Sequence, residues 1–315
     1  MTPWPDYGDV LAAAARIAPL AQVTPVRRSR SLEALAGCEL HFKCENLQRA
    51  GAFKFRGACN AVWSLRAEEA ARGVLTHSSG NHGAALALAA RTRGIPAHVV
   101  VPEGAVKSKL AAIEAFGATL HSCAPTLAAR EAAVERLAAE TGARLVHPYT
   151  DPAVVAGQGT AVLELLAAAG PLDAVLVPIG GGGLAAGTAI ALAARAPGVE
   201  LVCAEPEGAA DAHESLRCGA RIENIEPNTI CDGLRALIGR PNFATLQSQG
   251  GEVLLVSDAE VRAAMRLLWE RLKLLVEPSS ATVFAAVMRN RERFAGRRLG
   301  LILSGGNVDL DALPL

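Results

Sequence analysis

The sequence predicts an α/β fold of two open, mainly parallel sheets. Three observations lead there. Between residues 73 and 148, short apolar runs alternate with alanine-rich helical stretches. A second alternating series runs from 154 to 304. Glycine-rich segments stand where strands hand over to helices, at 78–83 and 180–183. Strands alternating with helices build parallel βαβ units with right-handed crossovers. Such sheets take ligands in the crevice beyond the C-terminal ends of their strands. Residues 73–149 are expected to form a small α/β domain, and residues 1–72 with 150–315 a larger one that carries the ligand.

In chain order, an alanine-rich helix is expected over 9–18, ending near Pro19, and Thr24 to Val26 turn into an extended piece. ELHFKC, residues 39–44, reads as a strand, followed by a loop and a helix over 56–72. The first alternating series has strands at 73–77, 97–101, 118–123 and 143–148, and helices at 81–93, 107–115 and 126–141. The second has helices at 154–168, 184–195, 209–218 and 279–289, with strands at 174–178, 199–206, 252–256 and 298–304. Asp258 is read as the N-cap of a helix running to about Arg271. Residues 219–250 show no regular period.

Acidic and basic residues balance at 31 each, without a run of either sign. Nucleic-acid and anionic-membrane partners therefore have no electrostatic support. The seven cysteines form no CxxC pair, which argues for reduced, buried thiols in the cytoplasm. The N-terminus shows no signal-peptide pattern. Residues 174–194 carry no charge, but Pro178 and four glycines interrupt them, as a strand, loop and helix would.

Four stretches carry chemistry. In GAFKFRG, residues 51–57, Lys54 stands between Phe53 and Phe55. A lysine in apolar surroundings loses solvation of its ammonium, and its neutral amine becomes a nucleophile and base able to hold an aldehyde as a Schiff base. A surface lysine passing two core aromatics would give the same letters. SSGNHG, residues 78–83, opens a helix after a strand and offers amides and hydroxyls to an anion, although turns and N-caps use the same residues. GGGG, residues 180–183, lets a backbone approach a phosphate and aim several N–H groups at it. LSGGN, residues 303–307, ends the last strand, where a serine hydroxyl faces a ring nitrogen or simply closes a turn.

In this order, the four stretches resemble the fold-type II pyridoxal-phosphate enzymes, whose fold is like that of the tryptophan synthase β subunit. The likeness is nearest to the serine/threonine dehydratase and serine racemase group. It implies a pyridoxal 5'-phosphate cofactor in the cleft between the two domains, with Lys54 as Schiff-base lysine. Phe53 would lie against the cofactor ring, Asn81 would bond its phenolic oxygen, and Gly180, Gly181, Gly182, Gly183 and Leu184 would cradle the phosphate. Ser304 would meet the pyridine nitrogen, Gly233 would cover the other ring face, and Glu277 would be an acid near the ring. Ser78, Ser79, Asn81, His82 and Arg130 would meet the substrate, Ser79 as the second catalytic group beside Lys54.

The resemblance further implies a divalent cation, Mg²⁺, Ca²⁺ or Mn²⁺, on Glu205, Asp211 and the Ala209 carbonyl; two solvated acids beside a turn would read alike. Arg49, Ala50, Ala84 and Phe116 depart from the racemase's nucleotide contacts, so nucleotide activation is not expected. Ala236 replaces a serine beside the substrate carboxylate. No C-terminal regulatory domain is expected after SGGN.

The function so implied is β-elimination from serine, threonine or a related β-hydroxy amino acid, giving a 2-oxo acid and ammonia, in a cytoplasmic homodimer. Racemisation is the nearest rival. A β-replacement enzyme, whose group usually has threonine where His82 stands, and a non-catalytic amino-acid-binding protein follow.

Overall fold

The structure, a computed structural model, describes residues 3–105 and 107–310. Helices α1 (Tyr7–Ile17) and α2 (Arg30–Ala36) flank the short strand β1 (Val26–Arg27); β2 (Glu39–Cys44) leads to α3 (Lys54–Trp63) and α4 (Ala67–Arg72). Next come β3 (Val74–Thr76), α5 (Asn81–Arg93), β4 (Ala97–Pro102), α6 (Lys107–Ala115), β5 (Thr119–Cys123), α7 (Leu127–Thr141) and β6 (Arg144–Leu145). Then follow α8 (Pro152–Ala169), β7 (Ala174–Pro178), α9 (Gly183–Arg195), β8 (Glu200–Pro206) and α10 (Asp211–Cys218). The chain ends with α11 (Arg240–Ser248), β9 (Glu252–Val256), α12 (Asp258–Leu267), α13 (Pro278–Arg289), α14 (Arg291–Phe294) and β10 (Arg298–Leu303).

Two sheets result, in the orders β1-β2-β10-β7-β8-β9 and β5-β4-β3-β6. Only β1 with β2 runs antiparallel; the other strand pairings are parallel. This is the expected α/β class. The larger sheet is covered on both faces. Phe42, Leu301 and Val202 pack towards α12 and α13, and Val175, Val177 and Ile302 towards α8 and α9. Strands buried on both faces read as continuous apolar runs, which is why AVLVP and LGLIL lack alternation.

The order of the larger sheet positions the site. Strands β2, β10 and β7 are parallel neighbours, with Leu303 opposite Cys44 and Leu301 opposite Leu176. The turns that follow them carry Lys54, Ser304 and the four glycines, so three distant motifs meet at one sheet edge. In the smaller sheet, the central strand β3 ends at SSGNHG.

Several boundaries differ from expectation. The helix over 56–72 is two helices, because Leu65 is buried and Arg66 is extended (φ −66°, ψ 158°), with its N–H held by Glu69. Ser257, not Asp258, caps α12: its hydroxyl accepts from Glu260 N, and Glu260 returns a bond to Ser257 N. The Asp258 carboxylate instead holds the Thr229 hydroxyl and the Ile230 N–H. That helix leaves α geometry at Leu268 for a π turn, closed by Lys273 at φ 59°. Strand β6 has two residues where six were expected, and α2 and α11 were not foreseen. The uncharged stretch 174–194 is indeed strand, glycine turn and helix. Helix α8 is long and apolar enough to cross a bilayer, yet Val154, Val155, Val162 and Leu165 are fully buried in the protein core.

Candidate active site

Lys54 is the first residue of α3. Its Nζ donates to the Pro148 carbonyl at 3.0 Å and sits 5.1 Å from the centre of the Phe53 ring. Phe55 points the other way, fully buried, with the Arg49 guanidinium stacked 4.6 Å above it. Burial pulls the Lys54 pKa down to about 8, against the opposing charge of Glu277. A lysine running along the surface does not describe this geometry.

Lys54 opens into a cleft of about 570 Å³ at the ends of both sheets. One wall is the turn from β3 into α5. There Ser78, Ser79 and Gly80 precede Asn81, the first helical residue. Gly83 is obligatory, since a Cβ would lie 2.0 Å from the Ser78 carbonyl. The Asn81 amide nitrogen donates to both Glu277 oxygens, and its oxygen accepts from Asn307.

The opposite wall is the turn from β7 into α9. Among the described residues, the amides of 180–183 donate to no protein acceptor. A Cβ at Gly180 would lie 2.8 Å from Leu234 Cα, and one at Gly181 would lie 2.4 Å from the Tyr149 ring. Gly182 adopts φ +84°. Asn242 clamps this turn, donating to the carbonyls of Gly181 and Tyr149. A row of free N–H groups at the start of a helix is a phosphate cradle in its physical chemistry. Buried Ser304 and exposed Gly233 close the floor; the Gly233 N–H is held by Ser279 Oγ at 3.1 Å, and Leu184 completes the lining.

Histidines surround the amine. His82 is buried, its Nε2 3.2 Å from the Val146 carbonyl. Burial lowers its pKa well below the usual histidine value, and nearby Lys54 adds to this. His147 is lowered to about 4, by burial and then by neighbouring His77 and Lys54. The His147 ring stands edge-on to His77 and Tyr149, 5.2 and 4.5 Å between centres. Among the described residues, His77 Nδ1, His82 Nδ1 and Arg130 Nε are buried without a hydrogen-bond partner, and all three residues line the cleft.

Glu205, near the end of strand β8, lies with Ala209 and Asp211 of the segment that follows it, outside the cleft lining. Both acids are buried. Glu205 accepts from the N–H groups of Ala212 and His213, and Asp211 Oδ2 from that of Ile238, while Asp211 Oδ1 has no partner. Burial raises Glu205 to about 8, with Asp211 adding repulsion, and raises Asp211 to about 6. Two buried carboxylates with no cationic side chain bonded to them suit a hard cation. Among the described residues, no group of three or more His, Cys, Asp or Glu is placed to hold a metal. Further ligands would be carbonyl oxygens, such as that of Ala209, and water.

The family model described as "Pyridoxal-phosphate dependent enzyme" matches residues 17–305. The chain belongs to the pyridoxal-phosphate-dependent enzyme family. It is 46% identical over 310 residues to a β-hydroxyaspartate dehydratase of Paracoccus denitrificans, covering 98% of each chain. It is 44% identical to an L-threo-3-hydroxyaspartate ammonia-lyase of Saccharomyces cerevisiae, covering 97% of this chain and 94% of that one. The solved structure of maize serine racemase superposes with a TM-score of 0.96 at 42% identity, over 98% of this chain and 95% of that one.

Pyridoxal phosphate is thus the cofactor of the chain, and the cleft fits it. Lys54, the amides of 180–183 and buried Ser304 line one cleft, and an amine, a row of N–H donors and a hydroxyl are the groups that an aldehyde, a phosphate and a ring nitrogen call for. The structure brings Phe53, Lys54, Ser78, Ser79, Asn81, His82, Arg130, Gly180 to Leu184, Gly233, Glu277 and Ser304 to one cleft. Sequence reasoning missed His77, His147, Pro148, Tyr149 and Asn242. Pro148 and Tyr149 follow the last strand of the smaller sheet, where ligand residues concentrate, so their position carried a usable signal.

Proposed function

We propose that this chain eliminates water from a β-hydroxy amino acid, releasing a 2-oxo acid and ammonia. The observation that carries this is Lys54, whose amine faces the glycine turn across one cleft with a pKa near 8. Pyridoxal phosphate, when bound, supplies an electrophilic aldehyde and an electron sink for the Cα–H bond. Lys54 would hold the cofactor through its amine and, once the substrate amine has taken its place, would serve as the base for the Cα proton. The free N–H groups at the start of α5, with Ser78 and Asn81, bind the α-carboxylate. Gly180 to Leu184 hold the phosphate. Ser304, a neutral hydroxyl, would meet the ring nitrogen without forcing a charge on it, a setting that would suit elimination.

A substrate with a second carboxylate suits the cleft best. His77 Nδ1 and Arg130 Nε are left over once the phosphate and the α-carboxylate are placed. Two relatives are named for 3-hydroxyaspartate. Racemisation is the second reading, supported by Ser79 in the turn facing Lys54 and by the racemase likeness.

We further infer residues 73–149 as a small domain against 1–72 with 150–315, and a divalent cation on Glu205, Ala209 and Asp211. A homodimer is supported by the exposed Leu47 and Leu275, joined through the Asn46 bond to the Leu275 carbonyl. A cytoplasmic location is supported by seven free cysteines. The functional test is a panel of D- and L-forms of serine, threonine and 3-hydroxyaspartate, with 2-oxo acid and enantiomer ratio both measured. Fastest 2-oxo acid release from a 3-hydroxyaspartate isomer is expected. Turnover confined to enantiomer exchange would reverse the two readings.

A further inference from the structure

Lys54 and Arg56 are two residues apart on α3, so their side chains leave the helix about 200° apart. Lys54 faces the cleft, and Arg56 enters the protein, where none of its surface is exposed. Its guanidinium forks onto two carboxylates. Nε and Nη2 donate to Glu45 at 2.7 and 2.8 Å, and Nη1 and Nη2 donate to Glu164 at 2.7 and 2.8 Å. Lys43, also fully buried, donates to Glu164 at 2.5 Å and to the Thr24 carbonyl at 2.6 Å. The Thr24 hydroxyl donates to Glu45, and Arg56 Nη1 reaches Thr160 Oγ1 at 3.3 Å. Two cations meet two anions, so the cluster is neutral.

Such a cluster is a poor source of stability, because apolar residues of the same volume often serve as well. It does impose one arrangement, since every fork must close at once. The elements it joins are β2, the 3₁₀ turn holding Glu45, α3 and α8.

Helix α8 also touches the other end of the site. A Cβ on Gly157 would lie 2.7 Å from the Arg56 carbonyl, so α3 and α8 meet backbone to backbone. A Cβ on Gly187 would lie 2.4 Å from the Val155 carbonyl, so α8 and α9 do the same. Helix α9 begins in the glycine turn. One helix therefore sits in direct backbone contact with the helix of the amine and with the helix of the phosphate cradle. Contacts without intervening side chains leave little room to slide.

On the reading of Lys54 and the glycine turn given above, we propose that Lys43, Glu45, Arg56 and Glu164 form a positioning clasp. It fixes the distance and direction from the Lys54 amine to the glycine turn through α8, with Arg56 at its centre. None of the four lines the cleft.

The test uses purified holoenzyme and two variants. Lys43→Met with Glu164→Gln removes one cation and one anion and keeps the cluster neutral. Arg56→Lys keeps the charge and loses the fork. Both are expected to melt cooperatively and to keep KM within ~2-fold, while kcat falls ~10-fold or more, as when a reacting group is displaced by a fraction of an ångström. The cofactor should leave faster in hydroxylamine, since the amine and the phosphate cradle no longer match. Glu164→Asp, which keeps the charge at shorter reach, should be intermediate and serves if the double variant does not fold. Variants that fold with kcat and cofactor release unchanged would overturn the proposal. So would parallel loss of kcat, KM and melting temperature, the mark of a merely structural cluster. Absence of elimination in the wild type would instead defeat the functional reading.

Discussion

The Asn81 amide nitrogen donates to both carboxylate oxygens of Glu277, at 3.0 and 3.1 Å, and so joins the first residue of α5 to the N-cap of α13. This bond crosses the cleft between the two sheets. The Asn81 oxygen accepts from Asn307, which also donates to the Ala50 carbonyl. A residue expected to face the cofactor's phenolic oxygen therefore also holds the cleft together.

Asn81→Ala takes the amide donor shared by both oxygens of a buried carboxylate. A loss of about 1–3 kcal/mol in unfolding free energy is expected. Chemical denaturation of the holoenzyme checks this, and cofactor affinity should weaken in the same variant. An unchanged denaturation midpoint would show that the bond carries no weight.

Lys54 sets the pH dependence of cofactor capture. Its amine is partly neutral from about pH 8, and Glu277 opposes the shift by favouring the ammonium. The rate of borohydride-trapped pyridoxal phosphate attachment should rise with a midpoint near pH 8. Glu277→Gln removes the negative charge and should move the midpoint lower. A midpoint near that of an ordinary lysine would contradict the buried environment.

Much of the site was legible because glycine has few reasons to stand at a strand end in a parallel sheet. Four glycines at 180–183 and the SGGN turn marked two strand ends, and parallel pairing then placed them beside Lys54. The clasp was not legible. Glu45, Arg56 and Glu164 are ordinary charges, and Arg56 and Glu164 stand 108 positions apart. Only the sheet order brings them together. Helix α11 escaped because its first turn, Arg240, Pro241 and Asn242, serves to clamp the Gly181 carbonyl and has no apolar period. The break between α3 and α4 was hidden by the high helix propensity of the alanines around it.

With a cation proposed on Glu205 and Asp211, stability is expected to depend on pH and on cations together. Folding raises both pKa values, so the folded state binds more protons than the unfolded one between about pH 4 and 8. The cation-free protein should lose melting temperature as pH rises through that window. Mg²⁺, Ca²⁺ or Mn²⁺ should restore it, by more at pH 8 than at pH 6. Melting curves that ignore cations at both pH values would exclude the site.

Ser79→Ala separates the two chemistries. Elimination from an L-amino acid needs one base, Lys54, whereas racemisation needs a second group on the other face. The variant should lose conversion of L- to D-serine and keep measurable elimination from the L-substrate. Elimination from a D-substrate, whose Cα proton faces Ser79, should fall sharply. Separate incubations with the L- and the D-substrate, each read by chiral chromatography and by 2-oxo acid release, measure all three, and equal loss from both enantiomers would give Ser79 a different role.

Lys54, with pyridoxal phosphate, is proposed to drive β-elimination. The most direct measurement of this is the release of 2-oxo acid and ammonia from 3-hydroxyaspartate by wild type and by Lys54→Ala. Wild type should release the two products in equal amounts, and the variant, folded to the same circular dichroism spectrum, should release neither. Near-wild-type release by Lys54→Ala, or a wild type that yields only the Cα epimer, would contradict this role of Lys54.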